Sequence, residues 1–167
     1  LLKILQQQYE WIRSARKNLF TFLEEMSTHI LQQAVPGFGN RSIILTHIHA
    51  ADSYRFWLGS FAFKQMSEEY RETAMHEIER ADVKNVRERF AEVDEIVQRF
   101  IYEYNNRWFE PVEYYVAWQS KPWIAAPLLL LTHVETHEFH HKGQILSMAR
   151  HLGYNPPDND RLGGLFS

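Results

Sequence analysis

The stretch from His133 to Gln144 reads HVETHEFHHKGQ, which places four of the chain's nine histidines within nine residues. Imidazole is the commonest protein metal ligand, and side chains four apart share one face of a helix. His133, His137 and His141 follow that spacing. The middle of the run, HEFHH, also fits H-E-x-x-H. In that pattern two histidines one turn apart hold zinc, and the glutamate acts as base on the bound water. These residue types point to a metal site on a helix.

The helical wheel narrows the set. At about 100° per residue from His133, the apolar residues Leu130, Val134, Ile145, Met148 and Leu152 centre near about 90°. His141 falls near about 80° and His137 near about 40°, both on that face. His133 lies at its edge and His140 further out. Two inward histidines on adjacent turns call for a shared partner, because an unpaired buried polar group costs about 1–3 kcal/mol. The segment THIHAAD offers His47 or His49 as a third ligand from another helix. Helix bundles commonly gather ligands in this way, and three histidines leave coordination positions open to a substrate. Periodicity favours His47, which sits nearer the centre of the apolar face. His49 lies at the edge, on the stripe of Leu45, Asp52, Phe56 and Phe63.

Two narrower metal readings fail on their missing partners. A zinc protease built on His137, Glu138 and His141 generally takes a third ligand downstream. The sequence after His141 holds one histidine, no glutamate, and Asp158 and Asp160. The longer form HExxHxxGxxH would need Gly and His where Gln144 and Ser147 stand. A di-iron bundle needs a second E-x-x-H besides Glu138–His141, and the earlier helices carry none. Glu138 remains a candidate base or a group supporting a ligand.

The elements that must position these residues can be read from periodicity. A first helix is expected over about residues 2–32, through Ile4, Leu5, Trp11, Ile12, Ala15, Leu19, Phe22, Leu23, Met26 and Ile30. Pro36, Gly37 and Gly39 break it, and Asn40 can cap a second helix over about 41–65. That helix is apolar on much of its circumference, so it belongs in the centre. A polar connector with some helix follows, at about 66–81. Asp82 can cap a third helix over about 83–106, with a stripe of Val86, Phe90, Val93, Val97, Phe100 and Ile101. Val112, Tyr114, Val116 and Trp118 then alternate with Glu113, Tyr115, Ala117 and Gln119, a strand period. Ser120-Lys121-Pro122 can turn the chain into a short partner strand. Pro127 suits the first turn of a fourth helix running to about Leu152, ended by Gly153 and Pro156-Pro157. The expected fold is all-α: an antiparallel four-helix bundle with a short β-hairpin between helices three and four, forming one domain over residues 1–167.

Composition limits the function classes. A 45% hydrophobic chain of 167 residues can bury a sizeable core. Its net charge of −3, without a basic run, argues against nucleic-acid binding. There are no cysteines, so a metal site must use nitrogen and oxygen ligands, and any thiol chemistry needs a thiol from outside. No apolar run approaches a membrane span, and no secretory signal is visible, so the expected location is the cytoplasm.

The end of the chain, HVETHEFHHKGQILSMARHLGYNPPDND, resembles the H-x-x-x-H-(R/K)-G-Q segment and tail of the DinB/YfiT-like family of metalloenzymes. The segment SIILTHIHAADSYRFW is similar to the family's first-ligand segment. There the ligand histidine precedes x-A-D, follows an aliphatic residue by six positions and often precedes an aromatic by eight. His49 fits all three, with Ala51-Asp52, Ile43 and Trp57; His47 does not. The resemblance therefore implies the ligand set His49, His137 and His141, binding nickel or zinc. It also implies a homodimer, and either transfer of a low-molecular-weight thiol to a small electrophile or a thiol-assisted isomerisation; a metal-dependent hydrolase is the other candidate enzyme class. A non-catalytic metal-binding stress-response protein is the alternative. Asp52 is a candidate support for a ligand's free ring nitrogen, against a plain solvated or capping role. Tyr54, Trp57, Tyr114, Tyr115 and Trp118 are candidates for a pocket wall, against a plain core or dimer surface. Gly143 is expected to admit a close-packed helix.

Overall fold

The computed structural model describes residues 1–64, 72–116 and 118–157. These residues are mostly helical, forming α1 (Leu2–Leu23), α2 (Thr28–Leu31), α3 (Ile43–Tyr54), α4 (Met75–Ile78), α5 (Val83–Glu103) and α6 (Pro127–His151). A two-stranded antiparallel sheet joins β1 (Val112–Tyr114) to β2 (Trp123–Ala125). No described helix is long and apolar enough to cross a membrane.

The first expected helix is interrupted. α1 stops at Leu23, and Ser27 starts α2 by accepting a hydrogen bond from the Ile30 backbone N–H. A serine at this position satisfies one of the donors a helix start leaves open, so it favours a new helix over continuation. The face of α1 also differs from the expected stripe. Leu5, Tyr9, Ile12, Arg16, Leu19 and Leu23 are buried, whereas Ile4 and Trp11 are exposed.

α3 is capped by Ser42, whose hydroxyl accepts from Leu45 N–H at 3.1 Å. Asn40 is not the cap; it takes a left-handed turn conformation with φ of 55°. After Tyr54 the helix widens into a π-helical segment, Arg55–Phe61, which the 3.6-residue period did not foresee. The Ala62 N–H closes its last wide turn on the Trp57 carbonyl at 3.2 Å. Such segments recur at functional sites.

α5 begins at a reciprocal cap: Asp82 accepts from Asn85 N–H, and Asn85 accepts from Asp82 N–H. Its stripe, Val86, Phe90, Val93, Val97, Phe100 and Ile101, is buried. The hairpin is shorter than its alternation implied. Val112 pairs with Ala125, Glu113 with Ile124 and Tyr114 with Trp123. Val116 and Trp118 lie in the connecting loop, and Ala117 lies outside the described residues. Residues 65–71 of the expected connector, and Asp158 and Asp160, also lie outside them.

α6 carries Pro127 in its first turn, where no intrahelical N–H bond is lost. At its far end Tyr154 N–H bonds the Ala149 carbonyl and Gly153 N–H bonds that of Arg150. Gly153 has φ of +87°, the left-handed conformation that this paired closure requires. Helix α3 packs on α6 and α5, and α1 packs on α5. The α3–α6 contact brings the two histidine segments together.

Candidate metal centre

His137 and His141 stand one turn apart on α6, and His49 faces them from α3. One ligand atom from each lies within 4.8 Å of the other two. The rings of His137 and His141 are 4.4 Å apart, and His49 lies 5.2 and 4.9 Å from them. His141 is buried, and the other two are half-buried. The group is therefore open on one side.

The hydrogen bonds define which nitrogen is available. His141 Nδ1 stands 2.7 Å from Gln144 Oε1. An amide oxygen only accepts, so Nδ1 carries the proton and Nε2 keeps its lone pair. That Nε2 lies 3.2 Å from His137 Nε2. Two nitrogens bound at about 2.0–2.1 Å to one tetrahedral ion stand about 3.3 Å apart, so the observed spacing suits a shared cation. His140 is turned outward, and its Nε2 meets the amide nitrogen of Gln144 at 3.1 Å.

All three rings are held neutral, the form that ligates. Burial pushes His137 down to about 4, helped by His141 and His49. Burial likewise takes His141 down to about 4, against the opposing bond to Gln144. His49 is lowered by burial and then by Arg41, with Glu72 and Asp52 acting the other way. A nitrogen donor set of this kind, in this spacing and protonation, fits a divalent ion such as zinc or nickel.

The second histidine of helix α3 occupies different ground. His47 is fully buried between two rings, stacked on Phe20 at 4.9 Å and tilted against Phe90 at 5.1 Å. Burial lowers its pKa to about 3. The wheel placed His47 on the apolar face correctly, but its ring packs against Phe20 of α1 and Phe90 of α5. His49, at the edge of the stripe, is the one that reaches the α6 histidines.

Glu138 is bonded to other groups. Arg16 on α1 donates to both its oxygens, at 2.7 and 3.0 Å, and Tyr54 donates to Oε2 at 2.7 Å. Arg16 also reaches Asp94 at 2.7 Å, which accepts from Tyr9 at the same distance. Burial, the largest influence, opposes the charge on Arg16, yet Glu138, Tyr9 and Tyr54 together outweigh it, and the guanidinium pKa rises. Glu138 is thus one half of a buried ion pair linking α1 to α6, not a free base beside the histidines. Sequence reasoning missed Arg16 and Tyr9, although both fall on the buried stripe between Leu5 and Leu19. It also missed Glu135, buried against Gln8 and pushed up to about 7 chiefly by burial.

Asp52 supports no ligand. It is buried and accepts from Thr73 N–H at 2.8 Å, Thr73 Oγ1 at 2.9 Å and Arg55 at 3.2 Å, tying the chain before α4 to α3. Gly143 is exposed, and among the described residues nothing lies within 4 Å of where a Cβ would stand, so no described helix packs closely there. Among the aromatics, Tyr54 belongs to the Glu138 network. Trp57 and Trp118 cluster near His133, whose ring is 5.7 Å from Trp57 and 5.6 Å from His137. Tyr114 packs on Phe61, and Tyr115 is exposed. A cleft of about 380 Å³ between α1 and α5 is lined by Arg13, Arg16 and Arg87, but each is paired, with Glu10 and Asp94, with Asp94 and Glu138, and with Glu24. The histidine group is the better candidate site.

A helical fold that gathers three histidines from two helices forms a group that could hold a metal ion. The sequence model of the DinB family matches residues 2–166, and the chain belongs to that family. No curated protein sequence matches it significantly.

Proposed function

We propose that His49, His137 and His141 hold one divalent cation, nickel or zinc, and that the chain is a metal-dependent enzyme. Its reaction joins a low-molecular-weight thiol to a small electrophile. The observation that carries this reading is the convergence of three neutral imidazoles within 4.8 Å, open on one side. Membership of the DinB family supports it. On the same ground we read the four long helical segments as an antiparallel bundle that acts as a homodimer in the cytoplasm.

A bound divalent ion supplies Lewis acidity, which lowers the pKa of a thiol beside it. The chain supplies position. Gln144 fixes the His141 tautomer, and the α3–α6 packing sets the angle between His49 and the other two rings. The sequence has no cysteine, so the sulfur comes from a diffusible thiol. In the overall reaction one carbon–sulfur bond forms. The leaving group departs with its electron pair, and the thiol proton passes to solvent.

One observation favours a second reading. Glu138, the nearest candidate base in sequence, is committed to Arg16 and Tyr54. A hydrolase is weakened most by this. A non-catalytic metal-binding stress-response protein would need no base at all. Turnover separates the two. Metal-loaded protein, screened against several thiols and electrophiles, should give conjugates that His137→Ala abolishes. A fully loaded protein with no turnover across the panel would leave the binding role.

A further inference from the structure

Three of the chain's five tryptophans meet beside the histidines. Trp57, on the π-helical segment, lies 5.9 Å from Trp123 on β2 and 6.2 Å from Trp118 in the hairpin loop. Phe56 closes the group at 5.3 Å from Trp118. The contacts are edge-to-face or tilted, and they leave much of the two hairpin indoles uncovered: Trp118 is 59% exposed and Trp123 is 37% exposed. Hairpin packing alone would bury such rings, because each carries a large apolar surface. A contiguous exposed aromatic patch marks a binding surface, whereas a lone exposed ring does not.

The register fixes which way the patch faces. Tyr114 and Trp123 are cross-strand partners and so share a face of the hairpin. Both pack on the π-helical segment, against Phe61 and Trp57. Glu113 and Ile124 form the neighbouring pair and point the opposite way. The wall is therefore on the helix side. It is continuous with the candidate ligands through His133, which links Trp57 to His137.

We propose that Phe56, Trp57, Trp118 and Trp123 form a subsite for the flat aromatic ring of a small-molecule ligand. Exposed indole edges and faces in this arrangement suit a ring, which gains offset or edge-to-face contacts that an aliphatic group lacks. The proposal deepens the functional reading and rests on it for one thing: the ring would belong to the electrophile, held beside the histidines. Ring binding itself needs no ion.

The test follows the five indole N–H signals by nitrogen-15 NMR as 4-nitrobenzyl alcohol is added to zinc-free and zinc-loaded protein. The signals of Trp57, Trp118 and Trp123 should shift saturably in both forms, while those of Trp11 and Trp108 stay in place. Trp118→Ala should weaken the probe by about fivefold or more, and cyclohexylmethanol should bind more weakly than the nitroaromatic. Equal shifts at Trp11, no saturable shift, or equal binding of the cyclohexyl compound would overturn the subsite. Shifts of the same three signals on protein dilution, without probe, would assign the wall to a second copy and overturn it too. Because the zinc-free arm stands alone, failure of metal binding and failure of the ring subsite are distinguishable.

Discussion

At the scale of single residues, two histidines two positions apart on α3 have opposite fates. His49 meets His137 and His141, whereas His47 lies between Phe20 and Phe90. Both were legible as candidates, but the wheel favoured His47, which the structure does not bring into the group of three histidines. A wheel finds the centre of an apolar face, and the centre of α3 faces aromatic side chains. A ligand that must also meet solvent and substrate belongs at the edge of that face. The protonation of His47 yields a prediction. Its folded pKa lies near 3 and its unfolded value near 6.5. The unfolded chain therefore binds the proton first, and stability present above about pH 6.5 is lost as pH falls toward 3. Chelator-treated wild type should lose up to about 1.4 kcal/mol per pH unit more in that window than His47→Leu, measured by urea unfolding. Parallel pH curves for the two proteins would remove His47 as a source of acid sensitivity. Gln144 gives a second prediction. Its bond to His141 Nδ1 orients a ligand, so Gln144→Leu should weaken metal binding by about 10–100-fold in a chelator competition. Unchanged affinity would show that the packing alone sets the ring.

At the scale of elements, α1 and α6 are joined by charge and hydrogen bonds. Arg16 and Glu138 are both buried, and each has further partners in Asp94 and Tyr54. Removing one partner of a buried pair strands the other, at a cost of about 3–5 kcal/mol. Glu138→Ala and Arg16→Met should each destabilise on that scale, and the double variant should cost clearly less than their sum. Additive losses would mean that the two groups do not act as a pair. This network explains why HEFHH misleads. The glutamate of the pattern sits on the flank of α6 that meets α1, about 100° from His137. Most element positions were legible, because the stripes of α5 and α6 and the Asp82 and Pro127 starts are local signals. The break at Glu24–Ser27 and the π-helical turns after Tyr54 were not. Apolar side chains continue through both, and a fixed 3.6-residue period cannot register a change of helical pitch.

At the scale of the whole molecule, the proposed ion would clamp α3 to α6, two helices whose histidine segments are far apart in sequence. Binding restricted to the folded state adds about 2.7 kcal/mol of stability at a hundredfold excess over Kd. For a chain of this size that corresponds to a rise in Tm of about 5–10 °C. The increment should appear on adding zinc or nickel to stripped protein, vanish with chelator and be absent in His49→Ala. An equal rise in His49→Ala would place the ion elsewhere. The most direct test of the central claim is the metal content of purified protein by elemental analysis, for the wild type and four single variants. About one divalent ion per chain is expected in the wild type, in His47→Ala and in His140→Ala, with loss in His49→Ala and His141→Ala. Full occupancy in the last two, or loss caused by His47→Ala alone, would contradict the assignment of His49, His137 and His141 as the metal ligands.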